Sequence, residues 1–194
     1  MRRLRHALVS FAVVAAASGA ACTDPPDREM QQAQGAIDAA RAAGADQYAH
    51  EEFAAAESAL KRAREAVDQR DYRQALNDAL DARERAQTAA KDTVDKKATA
   101  RVDAEKAIAD ASAALAESRG KLKAAESGHA VQKSVAAAGR SVGQHERRVQ
   151  EARAAFERGD YLAAIEQARG AAADLRATTR DLETAATTGT RRHR

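Results

Sequence analysis

The chain has 194 residues, room for one or two ordinary domains, with a formal charge of +3 and an isoelectric point near 9.2. The basic excess sits in residues 1–21, where Arg2, Arg3 and Arg5 meet no acid; the remainder holds 29 Lys and Arg against 29 Asp and Glu. A neutral surface of interspersed signs grips phosphates poorly, so nucleic acid is not expected as a partner. The 44 % hydrophobic content is mostly alanine, 54 residues of it, and each buried methyl yields little at roughly 25 cal/mol per Å². Past residue 26 there is no proline, Trp is absent, and strong helix formers dominate. Such a composition predicts slim packed helices and not a globule with a deep pocket.

Residues 1–21 have the build of a secretion signal: basic Arg2, Arg3, Arg5 and His6, an apolar run from Leu8 to Ala17, then the small residues Ser18 to Ala21. The apolar run is shorter than the ~20 residues that span a bilayer. Cys22 follows and is the only cysteine, so no disulfide can form within one chain. A lone cysteine after a small-residue cleavage site resembles the lipobox of bacterial lipoproteins, although Gly19 stands where that family usually has Leu. The resemblance implies an acylated Cys22 that anchors the chain in a membrane. Thr23 after it, where Asp would resemble an inner-membrane retention signal, implies the outer membrane, facing the periplasm. Residues 22–27, with Pro25-Pro26, read as a short stiff tether.

From Arg28 onward apolar residues recur at alternating steps of three and four, the seam of helices that pack at a shallow angle. Phe53, Ala56, Leu60, Ala63 and Val67 form one such stripe; Val135, Ala138, Val142, His145, Val149, Ala152 and Phe156 form another. Breaks at Gly44-Ala45-Asp46, Arg70-Asp71, Ser127-Gly128 and Arg158-Gly159-Asp160 predict helices over about 28–43, 47–69, 72–127, 130–158 and 161–187. The third would extend roughly 80 Å at 1.5 Å per residue. Residues 188–194, with Arg191, Arg192 and Arg194, read as a basic flexible tail. Glu57/Lys61, Asp81/Arg85, Asp92/Lys96 and Glu117/Lys121 have the acid-first i,i+4 spacing that supports solvated helix faces.

An internal repeat organises this map. Ala63, Ala66, Val67, Asp71, Tyr72, Ala75, Leu76 and Ala79 return 89 residues later as Ala152, Ala155, Phe156, Asp160, Tyr161, Ala164, Ile165 and Ala168. In each copy an Asp would cap a new helix and a Tyr would cover the end of a hairpin, so Asp71, Tyr72, Asp160 and Tyr161 are assigned as structural hairpin caps. The expected fold is all-α: elongated antiparallel hairpins or a bundle. One arrangement has two three-helix units, 28–100 and 101–187, sharing a long central helix; a single folded-back bundle is the alternative.

Residues 36–90 resemble the domain of unknown function 4398, found in exported bacterial lipoproteins, through Gly44-Ala45, Tyr48-Ala49, Glu52, Ala56, Leu60, Ala63, Ala66, Asp71-Tyr72, Ala75 and Ala79. His50 stands where the family usually has Pro. The resemblance implies a helical lipoprotein and carries no catalytic residue or ligand. The run Gly159-Asp160-Tyr161 with Ala164, Ile165 and Ala168 also resembles the inter-helix turn of tetratricopeptide repeats, over half a repeat unit.

Little in the sequence carries chemistry. His50-Glu51 and His145-Glu146 begin like the zinc-protease motif, but the position of the second histidine holds Ala54 and Val149. No metal and no cofactor is expected, no nucleophile–base set is available, and the glycines are scattered. The expected function is that of a lipid-anchored structural or scaffolding protein of the cell envelope, not an enzyme. A tetratricopeptide-like adaptor that binds an envelope protein is the alternative, and a homo-oligomer would help so alanine-rich a chain bury area.

Overall fold

A computed structural model describes residues 24–127 and 132–192, with side chains to Thr187. Cys22, the leader and Thr23 lie outside these residues. The described residues form six helices and no strand: α1 (Asp27–Ala43), α2 (Ala45–Tyr48), α3 (His50–Asp68), α4 (Tyr72–Ser127), α5 (Gln132–Glu157) and α6 (Tyr161–Arg192). The protein is all-α. Two compact units divide within α4, the first through Val94 and the second from Asp95.

In the first unit α1, α3 and the start of α4 close on a seam of alanines. Ala33, Ala40, Ala56, Ala59, Ala82, Ala86 and Ala89 are buried there, and the larger side chains among them are Ile37, Phe53 and Leu60. Cross-helix contacts fix the directions. Arg41 bonds Glu57 at 2.6 Å and Arg64 bonds Gln34 at 2.7 Å, an antiparallel pairing of α1 and α3. Arg62 reaches Asp78 and Asp81 while Arg85 reaches Glu52, which sets α4 antiparallel to α3. In the second unit α4 supplies Ala107, Ala111 and Leu115, α5 Val142, Val149 and Ala152, and α6 Ala168, Ala172 and Leu175 to one core.

Local differences from the sequence expectation have physical reasons. The second helix does not run unbroken from 47 to 69: a single turn, α2, ends at Ala49 (φ −132°) before α3 begins. Ala49 leaves the helical region while its carbonyl accepts the Phe53 N–H at 3.0 Å, the first bond of α3. The tail is helical to Arg192. Extending an existing helix fixes one residue per hydrogen bond and avoids the cost of nucleation, and Thr and Arg do not break it. Among the i,i+4 charge pairs, Asp81–Arg85 forms at 2.9 Å, whereas Glu57 turns to Arg41 and Lys121 to Glu183 on α6. The hydrogen bond and then the charge of Asp81 hold the Arg85 guanidinium above its usual pKa, and Glu183 does the same for Lys121. These groups are exposed, where such pairs contribute little to stability.

Candidate functional site

The four residues of the repeated Asp-Tyr pairs sit at two turns, Asp71-Tyr72 in the first unit and Asp160-Tyr161 in the second. Each turn closes the preceding helix in the same way. Asp71 N–H donates to the Ala66 carbonyl at 2.9 Å and Arg70 N–H to the Val67 carbonyl at 2.9 Å; Asp160 donates to Ala155 at 3.0 Å and Gly159 to Phe156 at 2.9 Å. This is the paired closure that satisfies the orphan carbonyls of a helix end, and it needs a left-handed residue at its hinge. Asp71 and Asp160 then open the next helix: Oδ1 of each accepts a backbone N–H three residues on, from Gln74 at 3.0 Å and Ala163 at 3.2 Å. Tyr72 and Tyr161 are half-buried, and Tyr161 packs its ring on Phe156 with centroids 5.3 Å apart.

The hinge residue differs between the copies. Gly159 takes φ 81° freely, but Arg70 takes φ 61°, where an L residue pays about 1–2 kcal/mol. Arg70→Gly is therefore expected to raise stability by about 0.5–1 kcal/mol, and Gly159→Ala to lower it by about 1 kcal/mol. Urea titrations followed by circular dichroism read both; equal and opposite signs at the two turns are required.

The Gly-Ala-x-x-Tyr-Ala segment also has a physical reason. Gly44 ends α1 at φ 97°, and a side chain there would meet the Tyr48 ring at 3.6 Å. Ala45 and Ala49 are buried beneath it.

The second unit carries a polar layer that apolar periodicity did not announce. Ser118 of α4 and Thr179 of α6 are buried with their hydroxyls 2.8 Å apart, and both approach the Leu175 carbonyl, at 3.1 and 3.0 Å. Ser141 of α5 and Thr178 of α6 share a second hydroxyl contact at 2.8 Å. Runs such as Thr178-Thr179, spaced four from Asp174 and Leu175, are the available sequence signal, since a helical Thr can return its proton to the carbonyl one turn back. His145 lies in the same seam, 8 % exposed, with Nδ1 buried, no hydrogen-bond partner, and Asp174 Oδ2 at 3.7 Å. Asp174 accepts instead from Arg148 at 2.8 Å. His50 is exposed at the start of α3. No group of three His, Cys, Asp or Glu able to hold a metal occurs among the described residues, and no described helix is long and apolar enough to cross a membrane.

Two open grooves cut the second unit. One, between α5 and α6, is lined by Ser134, Ser141, Thr178 and Asp181 above Ala138 and Leu182. The other, between α4 and α5, has Ile108, Ala109 and Phe156 as its floor and Glu105, Arg153 and Glu157 at its rim. The hydrogen bonds of their hydroxyls run to another hydroxyl, to Arg153 and to backbone carbonyls, not to a carboxylate or an imidazole.

Helices closed on alanine seams, turned by a repeated left-handed hinge and an Asp cap, define an all-α protein built of small helical units. Residues 28–105 match the family model of a domain of unknown function (DUF4398), the family that the Gly44 to Ala79 pattern resembles. The matched stretch takes in the described first unit from residue 28 onward and the first residues of the second. No curated protein and no solved structure matches the chain.

Proposed function

We propose that this chain is a lipid-anchored structural or scaffolding protein of the bacterial cell envelope, held by an acylated Cys22 and without catalytic activity. The observation that carries the reading is the lone cysteine placed directly after a basic, apolar and small-residue leader. The helical units support it: cores of alanine hold helices together over a long run of sequence. By the resemblance at Thr23, the anchor lies in the outer membrane and the helices face the periplasm.

Cys22→Ser is expected to abolish incorporation of labelled palmitate in cells and to move the protein from the membrane to the soluble fraction. Persistent labelling would overturn the anchor.

The groove over Ile108 and Phe156 favours a second reading, an adaptor that seats a side chain of an envelope protein against the α4–α5 face. An adaptor retains its partner once the anchor is removed; a spacer loses its effect when whole helical turns are deleted.

A further inference from the structure

We infer that His145 is an acid-sensitive switch that takes Asp174 from Arg148 and so changes how α5 holds α6. With the imidazole neutral, the hold at this level is the bond from Arg148 of α5 to Asp174 Oδ2 of α6, at 2.8 Å. Arg148 reaches across Gly170 to make it. A Cβ at Gly170 would stand 2.6 Å from Arg148 Nη2, so the path of the guanidinium depends on the missing side chain. His145, one turn earlier on α5, stands with Nδ1 3.7 Å from the same oxygen, Asp174 Oδ2. That nitrogen is buried and has no hydrogen-bond partner.

The two donors differ in what replaces the carboxylate. The Arg148 side chain is 35 % exposed, so water answers its N–H groups when Asp174 leaves. Protonation of an imidazole, the side chain that ordinarily changes charge between about pH 5 and 8, turns Nδ1 into a charged donor. Here that donor is out of reach of water, and a buried charged donor left unmet is costly. Asp174 Oδ2 is the acceptor beside it, and closing the gap to hydrogen-bonding length takes less than about 1 Å.

The other charges that the three helices bring to this level are already answered. Arg119 of α4 pairs with Glu146 of α5, and Arg176 of α6 pairs with Asp110 of α4. Asp174 is thus the carboxylate placed to change partner. The groove between α5 and α6 begins one turn away on both helices, at Ser141 and Thr178, so the exchange alters its edge. The inference stands without the lipid anchor.

The test uses the full chain with Cys22→Ser, labelled with 15N, and follows the His145 ring and the Arg148 guanidinium by NMR from about pH 8 to about pH 5. At the alkaline end the two Nη groups of Arg148 should give separate signals, because the bond to Asp174 hinders their rotation. As the His145 ring titrates they should merge, with the same midpoint. His145→Gln, which cannot take up the proton, should keep them separate throughout, and Asp174→Asn should merge them throughout. Signals that stay separate while His145 titrates overturn the proposal, as does a ring that does not titrate in this range. Merging that persists in His145→Gln assigns the effect to another group and overturns it too. So does a loss of helical circular dichroism that accompanies the merging, since that would be general acid unfolding and not an exchange of partners.

Discussion

Phe53→Ala is expected to destabilise the first unit by about 3–5 kcal/mol, the cost of deleting a buried aromatic that the surroundings cannot replace. Phe53 is 4 % exposed, and its neighbours in the core are nearly all alanines, which have no rotamers with which to fill the space. The ring has a second role at its face, over which the Arg41 guanidinium stands 5.3 Å from the centroid while bonding Glu57. Loss of the ring thus removes both a core filler and the surface that orients an α1–α3 link. A urea titration showing less than 1 kcal/mol of loss would mean the alanine seam is stable without it.

The converse change defines the second unit. Ala168 is fully buried in α6 within a core shared with α4 and α5. Ala168→Leu adds three carbons at a place where helices approach because the side chain is a methyl. Overpacking costs about 1–3 kcal/mol in ordinary cores and occasionally more; a cost at or above the top of that range is expected here, since the neighbouring small side chains have little to move aside. Ala173→Leu, on the exposed side of the same helix, should stay within about 0.5 kcal/mol of the parent. Thermal melts of the pair separate packing from helix propensity, because both substitutions put the same residue in the same helix. If the two melt alike, the seam is not tight.

The helices were legible in the sequence for a simple reason: three-and-four spacing of alanines and a few larger residues survives any arrangement of neighbours. The start of α4 at Tyr72 follows from Asp71, and the predicted Ser127-Gly128 break lies at the limit of the described residues. What periodicity could not supply was partner choice. Arg41 selecting Glu57 and Lys121 selecting Glu183 are events between helices, and i,i+4 spacing speaks only of one helix. The break at Ala49 was hidden because Gln47, Tyr48 and His50 all tolerate helix; it shows only in the backbone, where Ala49 leaves the helical region at φ −132°. The buried hydroxyls of Ser118 and Thr179 were invisible for a related reason: a polar residue in an apolar stripe looks like an interruption until its partner from another helix is in place.

That hydroxyl pair has a consequence for how the second unit finds one arrangement. Alanine seams are nearly featureless, so a helix slid by a heptad meets much the same surface it left. Ser118, Thr179 and the Leu175 carbonyl break this degeneracy. A slipped state leaves Thr179 bonded to the Leu175 carbonyl of its own helix but takes both partners from the buried Ser118 hydroxyl, at roughly 1–3 kcal/mol. The three groups work as a detent on an otherwise smooth rail, and Ser118→Ala should leave the helices formed but freer to glide, seen as broadened methyl resonances with little change in helicity.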